Sequence, residues 1–196
     1  RQQAHDLVVR LLPTFFYMDE CRAFCGTAQL EVVKRRRERN DLRPEDETFL
    51  ALLALAGLDF DTEFARRHDR SPEAPIEEWQ YDLSQAESTL NRKIENHWGQ
   101  ARYQVQFRAD GDRFMTLVKT EGEKALLRLE ERSKGFQWFF SFDLMLMHET
   151  RGRWQNCVIL LDEPGLHLHP EGQQDLLKRL TEYAQTNTLI YTTHLP

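Results

Sequence analysis

The sequence predicts an α/β fold: a lobe built on a parallel sheet, with a helical insertion and a β-hairpin. Three observations lead there. The apolar run Cys157 to Leu161, the helical pattern Glu171 to Ala184 and the run Thr188 to Thr192 have the spacing of a strand, crossover helix and strand, which makes the two strands parallel. Tyr103, Val105 and Phe107 alternate with Gln104, Gln106 and Arg108, and Asp110-Gly111 turns the chain into a second strand, Arg113 to Thr120. Between these features and residue 31 the period is helical.

Taken in order, Leu7 to Leu12 reads as the end of a helix, because Pro13 cannot continue one. Thr14 to Met18 reads as a buried strand. Phe49 to Ala56 is apolar all round, so it is either buried or covered by a partner. The Pro- and charge-rich stretch Arg66 to Pro75 is the weakest boundary in the chain. From Ile76 the apolar residues Trp79, Leu83, Ala86, Leu90, Ile94 and Trp98 recur in steps of three or four, a helix about 30 Å long. Such a stripe fits a core-facing helix better than a coiled-coil arm, which needs more than about three heptads. A helix from Phe136 to His148 puts Phe136, Trp138, Phe139, Phe140, Phe142, Leu144 and Met145 into the core. In the last helix Leu176, Leu177, Leu180 and Ala184 form the expected buried stripe. Residues 1–30 then hold a strand of the core, 31–100 a helical insertion or arm, and 101–196 the C-terminal lobe.

Composition narrows the function. A chain of 196 residues suits one domain or a lobe of a larger one. The longest apolar block, Phe49 to Leu58, is far short of the roughly 20 residues of a helical span, which excludes a membrane-embedded helix. Nothing resembles a secretory signal, and Cys21, Cys25 and Cys157 have neither CxxC nor zinc-type spacing, so reduced thiols and a cytoplasmic location are expected. The 26 basic residues are outnumbered by 32 acidic ones, net charge −6, so any contact with DNA must be local. The single basic run, Lys34-Arg35-Arg36-Arg37-Glu38-Arg39, is the one candidate, and a solvated helix face is the better reading of it.

The most informative stretch is Val158-Ile159-Leu160-Leu161-Asp162-Glu163-Pro164, four apolar strand residues delivering two acids to the strand's carboxyl end, the edge where open α/β sheets bind ligands. In nucleotide hydrolysis an aspartate there holds the Mg²⁺ shell while the neighbouring glutamate polarises water as a general base. The same acids could instead cap the next helix. Thr192-Thr193-His194 ends the adjacent parallel strand, which puts His194 at the same edge, within reach of a terminal phosphate. Upstream, Ser133, Lys134 and Gly135 open the aromatic-rich helix: serine as N-cap, glycine for close approach, and a helix N-terminus that favours an anion. His167 and His169 share a face but have no third ligand nearby, so structural zinc is not expected, nor is it for Cys21 and Cys25 with distant His5. No GxSxG nucleophile motif occurs.

The order Ser133-Lys134-Gly135, Leu161-Asp162-Glu163-Pro164, Leu168-His169-Pro170 and Thr193-His194 resembles the signature motif, Walker B, D-loop and switch histidine in the second half of an ABC-type ATPase head. The wording from Glu131 to Phe139 and from Asp162 to Pro170 looks closest to OLD (overcoming lysogenization defect) ATPases, within a group that includes SMC-like DNA-repair ATPases. The likeness is specific over about residues 125–196, and Pro13 to Gly26 is also similar to that group. It implies ATP and Mg²⁺ as cofactors, Asp162 organising the metal, Glu163 as catalytic base and His194 sensing the γ-phosphate. Ser133, Lys134 and Gly135 would reach the nucleotide of a second subunit, and Gly165 to Pro170 would line the interface of a homodimer or higher oligomer. Heads of this kind close around two ATP molecules and commonly control a nuclease or another effector in phage defence, with DNA as a further partner. An SMC-like repair ATPase, or a nucleotide-gated scaffold with little turnover, fits the same residues.

Two departures stand out. Arg-Ser-Lys-Gly replaces the transporter-type Leu-Ser-Gly-Gly. No GxxxxGK[ST] is present, since none of the nine glycines precedes a lysine, so the lobe that carries the phosphate loop is expected to be missing from this chain.

Overall fold

The computed structural model describes residues 12–19, 22–68, 76–97, 103–122, 124–150, 156–166, 168 and 170–194. The helix expected before Pro13, most of the boundary between Arg66 and Pro75, and His5, Cys21, Trp98, His167 and His169 lie outside the described residues.

Strands β1 (Thr14–Met18), β6 (Cys157–Asp162) and β7 (Thr188–Thr192) form a sheet in the order β1-β6-β7, with both pairs parallel. The expected α/β architecture is therefore present. Helices α5 (Lys134–Glu149) and α6 (Pro170–Ala184) are its long crossover elements. Trp138, Phe142, Met145 and Leu146 of α5 and Leu176, Leu180 and Tyr183 of α6 bury Phe16, Met18, Ile159 and Leu161 on one face of the sheet. Among the described residues nothing packs on the opposite face. There Phe15 is 60%, Tyr17 44% and Ile190 56% exposed, and Val158 and Leu160 are only half-buried.

That overturns the expectation of fully buried strands. Side chains alternate along a strand, and among the described residues only one face of this sheet is packed. The stripe on α6 is corrected too: Leu177 is 58% exposed and Ala184 is exposed, whereas Tyr183 is buried. Leu176, Leu180 and Tyr183 follow the i, i+4, i+7 rhythm, and Leu177, one residue on, is turned about 100° away.

The second sheet runs β2 (Thr27–Gln29), β4 (Arg113–Thr120), β3 (Tyr103–Asp110), with β5 (Leu127–Arg128) also paired to β4. The hairpin turns where Asp110-Gly111 predicted it, with Gly111 at φ +54° and Asp110 opposite Arg113. Asp112 accepts hydrogen bonds from the amides of Leu30 and Glu31, seating the start of α1 (Leu30–Glu38) on that turn. Gly26, at φ +108°, passes so close to the chain that a Cβ there would lie 2.5 Å from the Leu129 Cβ.

Helices α2 (Pro44–Ala56), α3 (Phe60–His68) and α4 (Ile76–His97) complete the second layer. The apolar run of α2 is buried within the chain itself: Phe49, Leu52, Leu53, Leu55 and Ala56 join the core around the hairpin, while Ala51 faces the parallel-sheet core. On α4, Leu83, Ala86, Leu90 and Ile94 are buried as the stripe predicts. Polar groups of the same helix satisfy β3: the Asn91 amide exchanges bonds of 2.9 and 2.8 Å with the Val105 backbone, and Glu87 accepts the Phe107 amide at 2.8 Å. An edge strand with its amides occupied does not recruit another chain, so α4 serves the core along this stretch.

The basic run falls on α1 and just beyond it. Lys34 and Arg37 each bond the Asp61 carboxylate, at 2.8 and 3.0 Å, and Arg36 bonds Asp46 at 3.0 Å. With three of its charges matched by carboxylates, the run offers little to a phosphate backbone.

Candidate functional site

The carboxyl ends of β1, β6 and β7 lie together, because Met18 is in register with Leu161 and Asp162 with Thr192. Here the structure brings three expected residues together. The Thr192 hydroxyl donates to Asp162 Oδ1 and accepts the Glu163 amide at 3.2 Å, so one side chain of β7 holds the last residue of β6 and the residue after it. Glu163 leaves the strand at φ +49°, a left-handed conformation that disfavours a non-glycine residue by about 1–2 kcal/mol. Glu163 Oε2 accepts the His194 amide at 3.2 Å, and Oε1 lies 3.4 Å from His194 Nε2. Two adjacent carboxylates that would repel are thus split between two partners. The Glu163 side chain is 19% exposed and that of His194 93%, an acid in a half-sheltered position beneath an imidazole open to solvent.

A fourth residue escaped the sequence reading. Asp19 directly follows Met18, the register partner of Leu161, so it leaves β1 at the edge where Asp162 ends β6, and its Oδ1 is buried without a hydrogen-bond partner. Burial first, then the charges of Asp19 and Asp162 and a hydrogen bond to Asp19, raise the Tyr17 hydroxyl above its usual pKa, which marks the negative field at this corner. The clue was present: Met18-Asp19 ends its strand as Leu161-Asp162 ends its own. Tyr17, Leu160 and Asp162 share one parity, so the field lies on the open face of the sheet.

These oxygens suit a hard divalent cation. Thr192 occupies one oxygen of Asp162, no described residue occupies the other, and the buried Asp19 oxygen is unpaired. Among the described residues no three His, Cys, Asp or Glu side chains form a ready-made metal cage. Mg²⁺ does not require one, since it keeps several waters and takes one or two carboxylates plus phosphate oxygens.

Ser133, Lys134 and Gly135 open α5 as expected. Ser133 is the N-cap, its Oγ accepting the Phe136 amide at 3.2 Å. The first turn carries no acid, Ser133 and Lys134 are exposed, and Gly135 is buried. Gln137 ties the turn to the preceding loop through the Arg132 and Glu130 carbonyls, at 2.9 and 3.3 Å. Among the described residues no hydrogen bond links this turn to Asp162, Glu163 or His194. In the segment after Glu163, Gly165 adopts φ +83°, where a Cβ would lie 3.0 Å from Leu176, and Leu166 is 44% exposed. No helix among the described residues is long and apolar enough to cross a membrane.

A family model described as "AAA ATPase domain" matches residues 48–196. An uncharacterized protein of Methanocaldococcus jannaschii is 36% identical over 69 residues, which is 34% of this chain and 18% of that protein. The Septu protein PtuA of Bacillus mycoides is 32% identical over 73 residues, 35% of this chain and 10% of that protein. The matched segments thus span less than a fifth of either relative. Among solved structures, an Smc head domain from Pyrococcus furiosus, with an extended coiled coil and bound to the C-terminal domain of ScpA, is similar at 12% identity and a TM-score of 0.35, covering 85% of this chain and 46% of that one.

Proposed function

This chain belongs to the AAA ATPase domain family, and on that premise we propose that it binds and hydrolyses ATP with Mg²⁺, as the carboxyl-terminal lobe of an OLD-like, ABC-type head. The observation that carries the reading is the bonded group of Asp162, Thr192, Glu163 and His194 at the carboxyl edge of a parallel sheet. Bound Mg²⁺ would neutralise charge on the β- and γ-phosphates. Asp162, with Asp19 at the same edge, would hold that cation. The half-sheltered Glu163 carboxylate would align a water and take its proton, and the exposed imidazole of His194 would hydrogen-bond the γ-phosphate while its amide fixes Glu163.

Two parts of the site would come from outside the described residues. A parallel sheet normally has both faces covered, and the open face here is the one on which Asp162 lies. A segment bearing the GxxxxGK[ST] loop would cover it and bring the phosphate cradle beside the acids. The exposed first turn of α5, with Ser133, Lys134 and Gly135, would reach the nucleotide of a second head, and Gly165 to Pro170 would lie along the interface. Organisation into a core strand within 1–30, a helical insertion over 31–100 and a lobe over 101–196 belongs to the same proposal. The resemblance to OLD-like ATPases supports a head that controls a nuclease or another effector in phage defence.

The test is Mg²⁺-dependent ATP hydrolysis by the intact parent protein and its Glu163→Gln variant. Removing a general base lowers turnover by about 10²–10⁴-fold while ATP binding persists. Hydrolysis undiminished by the substitution removes Glu163 from the base role. Tight binding without turnover in the unmodified protein favours a nucleotide-gated scaffold.

A further inference from the structure

Side chains of the hairpin strands β3 and β4 alternate between two faces. Tyr103, Val105, Phe107, Phe114 and Val118 turn into the core around the hairpin. Gln104, Gln106, Arg108, Arg113 and Lys119 stand exposed on the other side. The register sets them across the two strands, with Gln104 opposite Lys119, Arg108 opposite Met115 and Asp110 opposite Arg113. Arg113 and Lys119 lie near the two ends of β4, about 20 Å apart at the rise of a strand, and Arg108 falls between them on its neighbour.

The charge of this face runs against that of the chain. The net charge of the protein is −6, yet at the outward positions of β3 and β4 three cations stand against one acid, Asp110. None of Arg108, Arg113 and Lys119 forms an ion pair with a described residue. A further cation, Arg128 of β5, lies opposite Leu117 and is matched by Glu130 and Glu131 at 2.8 and 3.0 Å. On α1, by contrast, Lys34, Arg36 and Arg37 are already matched by carboxylates. The unmatched cations come from separate strands and meet only through the register, so no run in the sequence announces them.

The composition of the face selects its occupant. A protein partner needs apolar anchors, but Met115 is half-buried, Leu117 is buried, and no large hydrophobic residue of this sheet is exposed. Single strands and RNA loops are held by stacking on aromatic side chains, and the aromatics of β3 and β4 all face the core. Duplex phosphates, in contrast, take hydrogen bonds from Arg, Lys and Gln side chains, and a row about 20 Å long matches roughly six base pairs at 3.4 Å each. We propose that the outward face of β3 and β4 is a docking surface for duplex DNA, on which Arg108, Arg113 and Lys119 neutralise phosphates and Gln104 and Gln106 donate to them without reading sequence. This surface is separate from the candidate nucleotide site and does not rest on ATP hydrolysis.

The test is fluorescence anisotropy of the intact parent protein on labelled duplex DNA of mixed sequence, without nucleotide, across a salt series. Three phosphate contacts contribute about 2.7 to the slope of log affinity against log salt, so binding through this face should weaken about 40-fold between roughly 50 and 200 mM salt. Arg108→Gln/Arg113→Gln/Lys119→Gln should remove that contribution, and each single substitution should lower the slope by about one. The single variants keep the test decisive if the triple variant does not fold. Arg35→Gln/Arg39→Gln, which takes exposed charge from around α1, should leave the slope in place. The proposal is overturned if the parent does not bind the duplex, if the triple substitution leaves the slope unchanged, or if the α1 variant loses as much. Tighter binding of single-stranded DNA or duplex RNA also overturns it and assigns the face to another nucleic acid.

Discussion

Thr192→Val removes the hydroxyl that joins Asp162 to Glu163 and changes little else, because valine keeps the β-branched shape a strand prefers. Two bonds are lost. A hydrogen bond to a charged group contributes about 1.5–3 kcal/mol and one to a backbone amide about 1 kcal/mol, in sheltered surroundings. Thr192 and Asp162 are both exposed, so water replaces much of each, and a total of about 1–2 kcal/mol is expected. With a urea slope of about 2 kcal/mol per molar, the unfolding midpoint should fall by about 0.7 M. The functional effect follows from the same geometry. An Asp162 free to rotate holds the cation less well, and a loss of about 1.4 kcal/mol there weakens Mg²⁺-dependent ATP binding about tenfold. Urea titration and nucleotide binding across a Mg²⁺ series measure the two effects, with Thr192→Ser, which keeps the hydroxyl, as the restoring control. A midpoint that stays put, together with an unaltered Mg²⁺ requirement, would refute the idea that this hydroxyl organises the site.

Two further outcomes follow from local geometry. Gly26→Ala should lower stability by about 3 kcal/mol, since a left-handed φ penalises alanine and its Cβ would collide with Leu129; for a domain of this size the thermal midpoint should drop by about 6–12 °C in calorimetry. The hydrogen bond from Lys34 first, and the Arg37 charge after it, hold the Asp61 carboxyl below its ordinary pKa. A depressed acid pKa stabilises the fold above the unfolded value of about 3.9, and that contribution is lost as pH falls through the folded value. Asp61→Asn should therefore flatten the acid limb of the stability profile seen by circular dichroism, and an unaltered limb would show that Lys34 and Arg37 do not anchor α3.

Much of the fold was legible wherever a local period met a definite stop. Asp110-Gly111 fixed the hairpin, and the stripe on α4 was right from Leu83 to Ile94, because each rests on neighbours a few residues apart. Faces were harder. Whether Phe15 and Tyr17 are covered depends on what packs against β1, which no local pattern records, and Leu177 was assigned to a stripe that the helical repeat carries past it. At the candidate site, Asp162, Glu163 and His194 could be brought together because parallel neighbours end at a common edge. Asp19 could not, since finding it requires knowing that β1 pairs with β6 across more than a hundred residues. Nor could Thr192 be picked as the link, because register decides which of two adjacent threonines faces Asp162.

Helices α2 and α5 each contribute to both cores: Ala51 stands apart from its helical neighbours, and α5 gives Phe140, Leu144 and Met147 to one side and Trp138, Phe142, Met145 and Leu146 to the other. Neither layer can melt without uncovering side chains that the other also uses. Heating should therefore give a single cooperative transition in which amides of the hairpin and of the parallel strands lose hydrogen-exchange protection together.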